Sequence, residues 1–168
     1  MAQIQNKVEW CLKKAQKELE KGELHRGLVK NFLSPTVARK HLEKAQHNLS
    51  AANFFQKQGY SDWSASAFFY CAYHCFLAIL RKYGYESRNQ ECTLATIEML
   101  REEGHIKIDP QFIDMLNLAK RSEIDYSIIQ IREEFQYGTE REYKDEKEFF
   151  ALVDICKKLI DETMKIIE

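Results

Sequence analysis

From Trp63 to Leu80 the chain reads WSASAFFYCAYHCFLAIL, eighteen residues without a formal charge when His74 is neutral. This run constrains the fold more than any other feature, because a helix that is apolar on every side must be covered on every side. Eighteen helical residues reach about 27 Å, marginal for a bilayer core. Ser64, Ser66, Tyr70, Tyr73 and His74 are poor company for lipid, so a central helix in a packed bundle, with no membrane, is the expectation. A chain of 168 residues that is 45% apolar supports one core. A small bundle leaves part of such a helix uncovered, and an aromatic-rich uncovered face implies self-association, a homodimer. The alternative is a fully buried helix in a monomer.

Punctuation around the run divides the remainder into helices. Ser34-Pro35 and Asp109-Pro110 each place an N-cap before proline at the first helical position, and Ser61-Asp62 opens the apolar run. Gly22, Gly84, Gly104 and Gly138 are natural stops. Between these marks the apolar residues keep the helical period: Val8, Cys11, Leu12, Ala15, Leu19; Ala38, Leu42, Ala45, Leu49, Ala52; Ile124, Ile128, Ile131, Phe135; and Phe149, Leu152, Cys156, Leu159, Met164. Leu24, Leu28 and Phe32 give a further short face at the same spacing. No long alternating run predicts a strand. The fold class expected is all-α, an antiparallel bundle of four to five main helices over 34–168 with an N-terminal helical extension over 1–33.

Charge and cysteine content exclude some classes. With 25 basic and 26 acidic residues the net charge is −1, so no global field marks a nucleic-acid coat or a polybasic membrane anchor, and any such contact is local. Lys7, Lys13, Lys14, Lys17 and Lys21 alternate with glutamates, which makes a mixed solvated face. Cys11, Cys71, Cys75, Cys92 and Cys156 are an odd set without a CxxC pair, which predicts reduced thiols and a cytoplasmic protein. The first twenty residues hold no uninterrupted apolar stretch of the signal-peptide kind, so the mature chain is expected to begin here.

Several constellations carry candidate chemistry. Cys71, His74 and Cys75 share a helix face at i, i+3 and i+4, half of a zinc site, but paired distant donors are lacking, so core packing is the expected role and no metal or other cofactor is expected. Tyr70, Tyr73 and His74 put polar tips on an apolar helix, where they fit the lining of a small cleft. Arg132 lies at the edge of the stripe Ile124, Ile128, Ile131, Phe135, which implies a half-buried guanidinium. Gln136 shares its face, and a helix stop at Gly138 would let Tyr137 swing back beside it. A surface ion pair with a neighbouring glutamate is the competing role for Arg132. Beyond the apolar helix, Arg81, Lys82, Ser87, Arg88, Asn89 and Gln90 make a polar cluster suited either to an oxyanion or to capping two helices. There is no Gly-rich phosphate loop, nucleophile elbow or HExxH.

The stretch ARKHLEKAQHNLSAANFFQKQGYSDWSASAFFYCAYHCFLAIL followed by a distal IREEFQYG resembles the prokaryotic HEPN domain, from about Pro35 to the C-terminus. The resemblance implies a dimerising helical bundle, often encoded beside a minimal nucleotidyltransferase. It also implies, for many members, metal-independent RNase activity in toxin–antitoxin or defence systems. In such RNases the site is an arginine, four to six intervening residues and a histidine, joined across the dimer. Arg132 matches the arginine; Tyr137 stands where the shortest form of the motif would put the histidine, and none follows His105. Arg101 and His105 are too close together to replace the pair. A phenol, which ionises at about pH 10, is a poor stand-in for an imidazole in acid–base catalysis. The leading expectation is therefore a dimer that binds nucleotide, RNA or a nucleotidyltransferase, with sites at Arg132, Gln136, Tyr137, His74, Arg88 and Asn89. An RNase with a variant Arg132/Tyr137 site and a plain helical interaction scaffold are the alternatives.

Overall fold

A computed structural model of the chain describes residues 2–117, 119–120 and 126–168. Seven helices and one small sheet are found among them: α1 (Ala2–Glu20), β1 (Leu28–Lys30), α2 (Pro35–Lys57), α3 (Ser61–Lys82), β2 (Tyr85–Ser87), α4 (Gln90–Glu102), α5 (Pro110–Asp114), α6 (Ile128–Tyr137) and α7 (Glu146–Ile167). The fold is all-α, with five main bundle helices (α2, α3, α4, α6 and α7) and α1 as the added N-terminal helix.

Helix starts follow the chemistry of their caps. Ser34 Oγ accepts from the Val37 N–H and Asp109 Oδ1 from the Gln111 N–H, each with proline next in the helix. Tyr60, rather than Ser61, occupies the cap position of α3 and makes no side-chain cap bond. Gly84 ends the α3 segment at φ +78°, and a Cβ there would stand 2.9 Å from the Asn31 carbonyl oxygen, so both turn and close approach require glycine. Ile124 of the predicted stripe lies outside the described residues.

α3 is the centre of the bundle, packed by α2, α4, α6 and α7. It is long and apolar enough to cross a membrane, yet 67% of its most apolar eighteen-residue window is buried inside the protein. Phe68, Phe76, Ile79 and Leu80 of α3 are fully buried with Ile97, Leu116, Ile128, Leu152 and Leu159. One stripe stays open: Trp63 is 61% and Tyr70 50% exposed.

The N-terminal segment differs from its expected form in two ways. Leu24, Leu28 and Phe32 do not form a helical face; Leu28 is buried in β1, while Leu24 and Phe32 are exposed. β1 pairs antiparallel with β2, Leu28 opposite Ser87, and the ladder partner, 59 residues away by number (87 − 28), is not visible in local periodicity. Cys11 and Cys92 are joined by a disulfide that ties α1 to α4, which corrects the expectation of five reduced thiols. Packing α1 on α4 brings their Cα atoms to 5.8 Å, within bridging range, across a sequence separation of 81. Gly27 lets the segment before β1 lie against α1, since a Cβ there would sit 2.6 Å from the Cys11 carbonyl oxygen. Cys71, Cys75 and Cys156 are free and buried.

Candidate functional site

Arg132 reaches its position through α6. Ser127 accepts from the Gln130 N–H and starts the helix, and Ile128, Ile129 and Ile131 anchor one side of it in the core. The next residue, Arg132, is thereby held at the edge, half-buried, as the stripe implies. Its guanidinium lies over the Phe69 ring of α3, 4.2 Å from the centroid, a cation–π contact. Arg132 Nε is buried without a hydrogen-bond partner among the described residues. A cleft of about 460 Å³ opens beside it, lined by Asp62, Trp63, Ser66 and Tyr70 of α3 and by Arg132, Phe135 and Gln136 of α6. A cation with an unused donor, in a cleft that two exposed aromatic residues also line, suits an anionic group attached to a flat ring.

Tyr137 is not brought to this cleft. It is 77% exposed and borders a separate shallow concavity with Gln130, Glu133, Glu134 and Glu140. The reason is the backbone of Gly138, which ends α6 in an extended conformation (φ −88°, ψ −171°) instead of reversing the chain in the left-handed region. The side chain therefore keeps the direction that an ideal helix gives it, about 140° around the axis from Arg132.

His74 is also elsewhere. Its Nδ1 lies 3.0 Å from Nδ1 of His41 on α2, and the two rings stack with centroids 5.2 Å apart. One Nδ1 must donate and the other accept, so the pair holds together only if at least one imidazole is neutral. Burial, then His41 and Lys44, pushes His74 down to about 4. Burial, then Arg81 and Lys44, lowers His41 too, against an opposing pull from Glu86. Since the folded protein prefers the neutral ring, the unfolded chain takes up the proton first. Stability from His74 is complete above the unfolded value near 6.5 and is lost as pH falls from there towards 4. For a half-exposed ring the loss is on the order of 1 kcal/mol after solvent screening. Denaturant midpoints at ~pH 7 and ~pH 5 should therefore diverge in wild type and converge in His74→Asn; equal divergence in both would dismiss the coupling.

Asn89 is the N-cap of α4, its Oδ1 accepting from the Cys92 N–H at 3.0 Å, the capping role that its sequence context left open. Arg88 sits beside it with Nε 3.5 Å from Glu86 and lines a different cleft, together with His41 and Arg81. Arg101 and His105 pair with Glu98 and Glu103 and are not joined to any of these groups. The fold thus unites Arg132 with Gln136 and separates both from Tyr137, His74, Arg88 and Asn89. Trp63, Ser66 and His41 are contributors that the sequence reading passed over. His41 precedes Leu42 at the margin of the α2 stripe, a position that marks it as half-buried but not as a partner of His74.

The family model for the HEPN domain matches residues 38–167, from the first turn of α2 to the end of α7. The chain belongs to the HEPN domain family. No curated protein matches it. The HEPN match contains both the α3 wall and the α6 wall of the Arg132 cleft, so the cleft is part of the family domain and not of the N-terminal segment.

Proposed function

We propose that this HEPN protein binds a nucleotide or a single-stranded RNA segment in the α3–α6 cleft, as a dimer. The observation that carries the reading is the half-buried Arg132 guanidinium, with an unpartnered Nε, in a cleft that the exposed residues Trp63 and Tyr70 also line. In this reading Arg132 contacts a phosphate, the aromatic rings stack on bases, and Gln136 supplies an amide at the rim. With a net charge of −1 the protein has no diffuse attraction for polyanions, so affinity rests on these few groups. Phe54 and Tyr60, each more than half exposed around the α2–α3 turn, supply apolar surface for the pairing of two copies.

The test is fluorescence anisotropy of a short labelled single-stranded RNA. Arg132→Ala is expected to weaken binding at least about tenfold, the worth of one hydrogen-bonded charge contact, and Tyr137→Ala to leave it unchanged. Unaltered affinity in Arg132→Ala ends the assignment. If a minimal nucleotidyltransferase is the occupant, RNA fails to bind and Arg132→Ala weakens that partner instead. Cleavage of RNA in EDTA that disappears in Arg132→Ala would move the protein to the RNase class. Light scattering reads the oligomer, and a monomer in solution removes the dimer from the proposal.

A further inference from the structure

A second cleft, of about 280 Å³, lies between α2, α3 and β2, away from Arg132. His41 and Val37 line it from α2, Leu77 and Arg81 from α3, and Glu86 and Arg88 from β2 and its end. Its cations are fixed in place. The Glu86 carboxylate accepts from Arg81 Nη1 at 3.3 Å and from Asn31 Nδ2 at 3.3 Å, and it lies 3.5 Å from Arg88 Nε and 3.5 Å from His25 Nε2. One carboxylate so surrounded is more than neutralised by two guanidinium groups, and it holds both of them against the cleft.

Neither guanidinium is used up. A guanidinium carries five N–H donors, and Glu86 takes only some of them. Arg81, whose side chain is 12% exposed, keeps its Nε buried with no hydrogen-bond partner among the described residues. Arg88, 44% exposed, meets Glu86 through Nε, which leaves its two terminal amino groups as further donors at the cleft wall. His41 spends Nδ1 on His74, which leaves Nε2 as its remaining polar atom beside the cleft. A buried unpaired donor is costly unless an acceptor is provided. Two guanidinium groups converging on one space match the several terminal oxygens of a tetrahedral oxyanion.

We infer that this cleft is a binding site for a phosphate monoester, with Arg81 and Arg88 as the anion contacts and Glu86 as the residue that positions them. Its volume lies near the lower end for small-ligand cavities, about 300 Å³, and so takes a phosphate with at most a small organic part. The inference does not depend on the Arg132 cleft.

The experiment is an NMR titration of the full chain with inorganic phosphate, against sodium chloride at equal ionic strength, following the Arg81 Nε–H and the His41 and His74 ring signals. Those signals are expected to shift saturably with phosphate and not with chloride. Arg88→Gln, at a solvent-reached side chain, is expected to weaken the site about tenfold, and Arg132→Ala to leave it unchanged. A parallel titration with glycerol phosphate identifies the source: tighter binding than inorganic phosphate marks a small phosphate ester, and equal binding marks the free ion. Absence of saturable shifts, shifts of equal size with acetate, or full affinity in Arg88→Gln would overturn the assignment.

Discussion

Reducing the Cys11–Cys92 disulfide is expected to destabilise the protein by about 4 kcal/mol, through the chain entropy that an 81-residue separation returns to the unfolded state. The effect should appear first in α1. Apart from the disulfide, that helix is held by the burial of Val8, Cys11 and Ala15 and by Lys7 against Glu91. The ion pair is short, 2.6 Å, but Glu91 is largely and Lys7 partly exposed, and such surface pairs contribute little. With the bond open, the bundle from α2 to α7 keeps its own core while the α1 contacts loosen. Thermal melts with and without reductant measure the loss. Alkylation of the unfolded chain supplies the control: three thiols should react without reductant and all five with it. Five reactive thiols in the absence of reductant, or identical melts, would show that the bond does not hold α1.

Phe68→Ala is the second large effect. Phe68 is fully buried in α3, its ring 5.4 Å from that of Phe149 on α7, and its carbonyl accepts from the Cys156 thiol. Truncation removes the transfer energy of a whole ring and leaves a cavity where α3 meets α7, a cost of about 3–5 kcal/mol. For a chain of this length the midpoint should fall on the order of 10 °C. Phe68→Leu, which retains much of the volume, should lose far less. A midpoint shift below a few degrees for Phe68→Ala would mean that the α3–α7 contact is not the centre of the core. Because Phe69, the next residue, carries Arg132, repacking around position 68 should also weaken RNA binding in the residual folded protein.

Much of the fold was legible because it is written in local chemistry. Caps at Ser34 and Asp109, proline behind each, and apolar residues at helical spacing are properties of neighbouring residues, and α2, α3 and α7 follow from them. The half-buried state of Arg132 is likewise a consequence of standing one residue past Ile131 on α6. Tyr137 shows the limit: the stop at Gly138 could be read, but the direction of the chain after it depends on one backbone torsion, and the extended value keeps the phenol away from Arg132.

The sequence by itself determined the helices, the choice of α3 as the covered centre and the half-exposed position of Arg132, since each is set by periodicity and capping within a few residues. Only the tertiary structure decided that Cys11 meets Cys92, that β1 pairs with β2, that His41 faces His74, and that Arg81 and Arg88 converge on Glu86 beside a cleft. Most of these contacts join residues far apart in the chain, and Arg81 reaches Glu86 only through the turn after α3. What brings them together is the burial of α3 by the surrounding helices, which fixes which faces meet, and no local pattern carries that information.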